Sequence, residues 1–253
     1  NTSIFIDGGS EKGTFKLGYT RTGDEGILPF SSVNKNLVNF AGTLNVTGKL
    51  TAGAAVNFSN IAGRGRYGTG YDDKNMMTNF RQWWEVNVDV KEQKEAYFRH
   101  RQNVTWNWAD PSDLVPIYWD NVYFSRYENY ESDNRNRYFG NINLNYKITD
   151  WLNVLGRVSL DSYDELQEER QAVGSVTTSN YTRFNRSYRE TNYDLLLNAN
   201  KDLSDDLNLK ALLGGNIRRQ HTSSIRATTN GGLIIPKLYS LSNSVNTPNA
   251  PTE

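Results

Sequence analysis

Residues 38–58 read VNFAGTLNVTGKLTAGAAVNF, and this stretch decides the fold. Apolar residues alternate with polar or small ones on both sides of Thr47-Gly48-Lys49. Side chains of a β-strand point alternately to its two faces, so the pattern predicts a hairpin with one apolar and one polar face. About ten such residues in a tilted strand are enough to cross a bilayer. The stretch therefore predicts two antiparallel membrane-spanning strands.

The same alternation recurs between residues 1 and 218 and predicts eight strands in all. Short turns are expected at residues 8–13, 47–49, 149–150 and 203–206, and long connections at residues 60–134 and 162–190. In outer-membrane barrels the short turns face the periplasm and the long loops face outward. We therefore predict an all-β fold, an antiparallel transmembrane β-barrel segment, with the residues after 218 in a further loop.

The composition excludes several other classes of protein. Lys plus Arg and Asp plus Glu both number 28, so the chain offers no excess positive charge to a nucleic acid. The absence of cysteine excludes disulfides, thiol catalysis and thiolate metal sites. The mean hydropathy is -0.69, and the lack of any apolar run near about twenty residues argues against a transmembrane helix. A barrel stays compatible with this value, because alternating strands average to a polar score.

The expected positions of the two chain ends indicate part of a larger barrel. No charged start followed by an apolar stretch marks a signal peptide. A complete bacterial barrel begins and ends in the periplasm, whereas here the first strand is predicted to start, and the last residues to finish, on the long-loop side. We therefore expect residues 1–253 to form a partial barrel domain.

The polar faces of the predicted strands carry charged and amide side chains that would line a lumen. The strongest candidates are Asn143, Arg157, Asp161, Asp194, Lys210 and Arg218. One interpretation is a hydrated inner wall that holds water or a plug domain, and the other is a substrate path. The sequence does not separate the two.

The long connection at residues 60–134 is rich in aromatic residues. Met76, Phe80, Trp83 and Trp84 recur at helical spacing and predict a short helix that Asp72 or Asp73 caps. Further on, tryptophan and tyrosine alternate with carboxylates, a combination that suits a sugar or peptide surface. The candidate contact residues are Trp83, Trp84, Trp106, Trp108, Asp110, Tyr118, Trp119, Asp120 and Tyr123. Packing of the loop on itself is the alternative interpretation.

No motif indicates catalysis, a metal or a cofactor. Gly63-Arg64-Gly65-Arg66-Tyr67-Gly68 has the spacing of a dinucleotide-binding loop, but the strand before it is half polar and no βαβ unit surrounds it. His100 and His221 lie in unrelated segments without neighbouring ligands. We therefore expect no enzyme activity, no metal site and no cofactor.

Several segments in this order resemble the SusC/RagA family of TonB-dependent outer-membrane transporters of Bacteroidetes. They are residues 6–13 (IDGGSEKG), 17–19 (LGY), 26–29 (GILP), 146–152 (YKITDWL) and 238–243 (LYSLSN). The resemblance implies a barrel of about 22 strands, an even number within the known range. It also implies an N-terminal plug and TonB box, which with the C-terminal strands would be absent here, and a SusD-like surface lipoprotein as a lid.

The family's function is nutrient uptake across the bacterial outer membrane. The resemblance implies a SusCD-like complex that imports oligosaccharides, other glycans or peptides, with TonB, lipid and the lid as partners and no catalytic residues. The aromatic residues of the long loop would then contact either the lid or the ligand. Two alternatives stay open: a passive porin or structural barrel, and a soluble all-β carbohydrate-binding module or glycosidase whose strands form a sandwich.

Overall fold

A computed structural model describes residues 1–66 and 68–253, so Tyr67 of the glycine-rich motif lies outside the described residues. In this part of the chain, eight long strands form one antiparallel sheet in the order β1-β2-β3-β4-β7-β8-β9-β10. The long strands are β1 (Thr2–Ser10), β2 (Gly13–Glu25), β3 (Ser32–Asn45), β4 (Leu50–Arg64), β7 (Glu131–Lys147), β8 (Leu152–Gln171), β9 (Asn180–Ser204) and β10 (Leu207–Thr228).

Shorter elements lie in the connections at one end of the sheet. Two small hairpins are formed by β5 (Trp108–Asp110) with β6 (Asp113–Pro116), and by β11 (Asn230–Leu233) with β12 (Ser244–Asn246). The helices are α1 (Met76–Thr78), α2 (Val90–His100) and α3 (Val122–Glu128); α1 continues as a π-helical turn over Asn79–Trp83, and Leu241–Asn243 forms a 3₁₀ turn. No helix among residues 1–66 and 68–253 is long and apolar enough to cross a membrane.

The connections alternate in length as the sequence predicts. Short turns join β1 to β2, β3 to β4, β7 to β8 and β9 to β10, whereas residues 65–130 and 172–179 connect strands at the opposite end. Because every neighbouring pair is antiparallel, all the short turns lie at one end of the sheet. This confirms the predicted all-β, antiparallel architecture with its short-turn and long-loop ends.

One face of the sheet is apolar and uncovered. The strand register places Leu44 opposite Ala52, Ala52 opposite Leu144, and Leu195 between Gly156 and Gly215. Leu44 and Leu195 are 53% and 62% exposed. A sandwich buries such a face against a second sheet, yet within the described ranges no second sheet covers it. The exposed row therefore supports a barrel wall and argues against the soluble sandwich.

The height of this apolar surface matches a bilayer. On β9 the positions of the apolar face between Arg189 and Lys201 carry Thr191, Tyr193, Leu195, Leu197 and Ala199. Two cations thus bracket an uncharged stretch. We call this stretch, together with the residues of the same face paired with it on the neighbouring strands, the apolar band. At about 3.3 Å per residue and a tilt of about 40°, Arg189 and Lys201 lie about 30 Å apart along the membrane normal, the thickness of a hydrocarbon core.

The predicted long loop at residues 162–190 is wrong. Strand β8 continues to Gln171 and β9 begins at Asn180, so only residues 172–179 connect them. In residues 162–171 and 180–190 both faces of the β8–β9 hairpin are polar. The alternation of apolar and polar residues is therefore lost, although the strands continue. Beyond the apolar band, the stacked pair Tyr163–Tyr188 and the hydrogen bond from Ser187 to Asp164 join β8 to β9, and the Arg135–Glu165 ion pair joins β7 to β8.

Three smaller predictions also need correction. The first long loop covers residues 65–130 rather than 60–134, because cross-strand pairing extends β4 and β7. Residues after 218 continue β10 to Thr228 and add the β11–β12 hairpin instead of forming only a loop. The predicted helix starts at Met76 under a cap from Asn75, not Asp72 or Asp73, because the Asn75 side chain accepts from the Met77 N–H.

Candidate functional site

The polar face of β7 to β10 forms a continuous wall of paired charges. The register aligns Asn143, Arg157, Asp194 and Asn216 in one row across four strands. Arg157 Nε donates to Asp194 Oδ2 at 2.8 Å, and Asn216 Nδ2 donates to Asp194 Oδ1 at 2.7 Å. Both oxygens of this carboxylate are therefore occupied by cross-strand partners.

Further from the short turns, the same face holds two more ion pairs. Arg137 binds Asp161 with two parallel hydrogen bonds of 2.7 and 2.6 Å, and Arg218 contacts Glu190 at 2.6 Å. Lys210 lies on this face nearer the short turns, opposite Asn200. The six predicted lumen residues thus share the polar face, and whether that face lines a lumen stays a prediction.

An aromatic and cationic part of this wall lies in residues 162–190, for which a loop was predicted. Tyr163 and Tyr188 stand opposite each other with ring centroids 5.2 Å apart and nearly parallel planes. The Arg135 guanidinium lies 4.9 Å from the Tyr163 ring centre and also binds Glu165 at 3.0 Å. Tyr181, Thr182, Phe184 and Tyr188 are residue types that favour strands, and they are the signal that could have indicated a strand.

The described residues of 65–130 (65–66 and 68–130) and residues 172–179 fold together into a cap at the long-loop end. Its buried aromatic centre consists of Tyr97 from α2 and Phe124 from α3, with Ala172 packed against them. The Tyr97 hydroxyl donates to Glu128 Oε1 at 2.9 Å, and burial raises the pKa of Tyr97 to about 12. The cap therefore has its own small core, whereas the sheet below it has an exposed apolar face.

Asn121 organises the cap through its backbone and side chain. The Asn121 side chain is fully buried and donates to the carbonyl oxygens of Gln93 and Val104 at 2.8 and 2.7 Å. Its Oδ1 accepts from the N–H groups of Tyr123 and Phe124 and so caps α3. One asparagine thus connects α2, the segment after it and α3.

Asp120, a predicted contact residue, is instead buried inside the cap. Its Oδ1 accepts from Asn103 Nδ2 and from the Val176 N–H, both at 2.7 Å, and its Oδ2 accepts from Asn129 Nδ2 at 3.0 Å. These bonds join the long loop to residues 172–179. The geometry favours a structural role for Asp120 over the direct ligand contact predicted for it.

Burial raises the pKa of Asp120 above its ordinary value of 3.8. The folded cap therefore keeps this proton at a pH where the unfolded chain has lost it. We expect the cap to lose stability as the pH rises from about 4 to the raised pKa, with no further loss above it. Asp120→Asn removes this contribution, so the stability difference between wild type and variant, measured by thermolysin cleavage of the full-length protein between pH 4 and 8, should change over that window. A difference independent of pH would contradict the expectation.

The other predicted contact residues fall into an exposed and a half-buried group. Trp83, Trp108, Asp110 and Tyr118 are exposed, whereas Trp84, Trp106, Trp119 and Tyr123 are half-buried. Trp83 and Trp119 approach with ring centres 6.3 Å apart, and Phe80 packs on Trp84 at 4.9 Å. Asp110 Oδ1 accepts from the Ser112 N–H and hydroxyl, so this carboxylate already supports the β5–β6 turn.

The β5–β6 hairpin exposes a group of apolar side chains that we call the hairpin patch. It consists of Trp108, Leu114, Val115, Ile117 and Tyr118, which are 38%, 48%, 61%, 47% and 69% exposed. Large exposed apolar side chains gathered in one segment are typical of sites that bind a protein or a membrane. The patch is a candidate docking surface at the long-loop end.

The described ranges offer little for a metal or a nucleotide. Across residues 1–66 and 68–253, no group of three or more His, Cys, Asp and Glu residues is arranged to hold a metal ion. In the glycine-rich motif, Gly63 and Arg64 end strand β4, and the carbonyl oxygens of Gly65 and Arg66 accept from Arg126. These two carbonyl oxygens therefore already accept hydrogen bonds from Arg126, a residue of the cap.

Comparison with known proteins finds solved structures with a similar fold. No family model matches the sequence, and no curated protein matches it. Structures of the RagAB peptide importer in the closed-closed and open-open states match with TM-scores of 0.72 and 0.72 at 14% and 15% identity, and a structure of the RagAB peptide transporter matches with 0.73 at 14%. Each match covers 99% of this chain and 27% or 28% of the solved chain.

At this identity the similarity concerns the fold. It confirms, for the fold, the resemblance to the SusC/RagA family that the sequence predicts. The chain spans little more than a quarter of the length of these solved chains.

Proposed function

We propose that this chain forms part of the barrel of a TonB-dependent importer in a bacterial outer membrane, and that it has no catalytic role. The observation that carries the proposal is the apolar band, an exposed apolar surface of bilayer height backed by a wall of paired charges. Alternation of lipid-facing and lumen-facing residues is what a membrane barrel requires. The likeness of the fold to the RagAB peptide importer supports the same function.

Peptides are the substrate class that we propose. The RagAB structures are of a peptide importer, and the polar face presents guanidinium and carboxylate groups side by side. Peptides carry both charges and many amide groups, so they can form charge-assisted hydrogen bonds with such a wall. Cells producing the full-length protein should take up labelled peptides, and a TonB-deficient strain should not. Uptake of labelled oligosaccharides in place of peptides would reassign the substrate, and TonB-independent uptake would favour a porin.

The orientation of the sheet can be tested with single cysteines, since this chain contains none. Val158 and Leu213 belong to the apolar face, and their neighbours Ser159 and Leu212 to the polar face. Spin labels at Val158→Cys and Leu213→Cys in native membranes should relax with oxygen, which dissolves in lipid. Labels at Ser159→Cys and Leu212→Cys should respond to a water-soluble nickel complex. Equal behaviour of the two sets would remove the basis for the membrane barrel.

We also propose that the hairpin patch binds a SusD-like lipoprotein lid. Interface anchors are enriched in large apolar and aromatic residues, and loss of several weakens binding strongly. The amount of lipoprotein that co-purifies with the triple variant Leu114→Ser/Val115→Ser/Tyr118→Ser should be at least about tenfold lower than with wild type. Ile234→Ser/Leu238→Ser, at exposed apolar residues of the β11–β12 segment, is the matched control. Unchanged retention by the triple variant would place the lid elsewhere.

A further inference from the structure

Three basic side chains stand together at the border of the apolar band on the long-loop side. The register places His221 directly opposite Arg189, and Arg219 opposite Thr191. Arg189 and Arg219 are even numbers of residues away from Leu195 and Ile217, so they belong to the apolar face. All three basic residues are exposed. They form one group that we call the border cluster.

The charges of the border cluster are not compensated as those of the opposite face are. On the polar face Arg137, Arg157 and Arg218 each have a carboxylate partner at 2.6 to 2.8 Å. In the part of the chain that the structure describes, neither Arg189 nor Arg219 forms such a salt bridge. The nearest carboxylate of the apolar face on β8 is that of Asp164, two residues beyond Ser162, which is paired with Arg189. This carboxylate accepts a hydrogen bond from the Ser187 hydroxyl at 2.6 Å.

We propose that the border cluster binds phosphate groups of a phosphorylated glycolipid in the outer leaflet of the membrane. The inference rests on the proposed membrane barrel, because only there does this face meet lipid. Facing residues on paired strands lie about 5 Å apart and alternate residues about 7 Å apart, so the cluster fits one phosphorylated headgroup. Guanidinium groups bind phosphate oxygens in pairs, and an imidazole N–H adds a donor.

The residues below the cluster favour a lipid over a free anion. Tyr193 and Ile217 face each other one alternate position further into the apolar band, and both are exposed. An acyl chain attached to the bound headgroup would extend over these two side chains. A lipid therefore gains apolar contacts that inorganic phosphate cannot make.

The test uses the full-length protein in detergent with lipid A carrying two phosphates as the probe, and the same lipid without phosphates. Binding is measured by native mass spectrometry. The variant is Arg189→Gln/Arg219→Gln. The matched control is Arg21→Gln/Arg183→Gln, which removes two other exposed arginines of the apolar face. Arg21 is paired with Asn36 on β3, and Arg183 is paired with Ala227 on β10.

We expect the variant to bind two-phosphate lipid A about tenfold more weakly, and the control to bind as wild type does. Wild type should also prefer the phosphorylated lipid over the lipid without phosphates. Equal affinity of variant and wild type, or equal binding of inorganic phosphate alone, would overturn the proposal. Resistance of the folded barrel to unfolding in unheated detergent gels is recorded in parallel. A protein that lacks it would contradict the membrane barrel itself, whereas a folded barrel without the lipid preference contradicts only this inference.

Discussion

Leu195→Arg is expected to prevent stable insertion of the full-length protein into the membrane. Leu195 lies near the middle of the apolar band, halfway between Arg189 and Lys201, and is 62% exposed. An arginine on the lipid face of a barrel costs about 2–4 kcal/mol near the bilayer midplane. Glycines stand on both sides of Leu195 in the register, so neighbouring side chains give little cover to a guanidinium. We expect a loss of that size in the free energy of unfolding.

The neighbouring leucine supplies a matched control. Leu196 directly follows Leu195 on β9 and so lies at nearly the same depth, but it belongs to the polar face. Its side chain lies over Gly214. Leu196→Arg should cost less than about 1 kcal/mol, because the guanidinium reaches water and its stem keeps the apolar contact. The measurement is urea unfolding in lipid vesicles, together with the amount recovered in outer membranes. Equal losses for both variants would show that the two faces do not differ in lipid exposure.

The apolar band was predictable because its signal is local. A strand that meets lipid on one side alternates at every second residue, and the register that pairs Val38 with Phe58 and Phe58 with Tyr138 follows this alternation. The same rule gave the turns, since each short turn interrupts an otherwise regular alternation. It fails beyond the apolar band, where Tyr163 and Asp164 face opposite sides and both sides are polar. Strand and loop then look alike in the sequence.

The organisation of the cap was not predictable from the sequence. Asn121 and Arg126 act through backbone carbonyl groups of distant segments, and those contacts exist only after the chain has folded. Tryptophans and carboxylates are conspicuous in a loop sequence, but they do not show which side chains the folded cap buries. Asp120 shows the limit of that approach, because its burial depends on Asn103, Asn129 and residues 172–179 rather than on its neighbours in the sequence.

Arg126 joins three segments of the long-loop end. It is 2% exposed, and its guanidinium donates to the carbonyl oxygens of Pro29 at 3.1 and 3.2 Å, Gly65 at 2.6 Å and Arg66 at 3.2 Å. These carbonyls belong to the β2–β3 loop and to the start of the long loop. Burial lowers the pKa of Arg126, so the hydrogen bonds compensate for a cost of burying the charge.

Arg126→Met is expected to loosen α3 from the β2–β3 loop and from the first residues of the cap. The methionine fills part of the space but leaves three carbonyl groups without their donor, and each unsatisfied buried group costs about 1–3 kcal/mol. A net loss of about 3 kcal/mol raises the open population about hundredfold, and thermolysin cleavage within residues 65–130 should accelerate accordingly. Arg126→Lys should recover only part of the loss, because one ammonium group cannot reach all three carbonyls in a planar arrangement.

The exposed arginine of α2 gives the control for Arg126. Arg99→Met makes the same chemical change on the surface of the same cap and should alter cleavage by less than about twofold, as surface substitutions usually do. Both variants should leave the unfolding of the sheet in lipid unchanged, since Arg126 contacts connections and not the apolar band. Cleavage of Arg126→Met at the wild-type rate would mean that the aromatic centre around Tyr97 and Phe124 holds the cap without the guanidinium. Faster cleavage confined to Arg126→Met would identify this single buried cation as the main link between α3, the β2–β3 loop and the start of the cap.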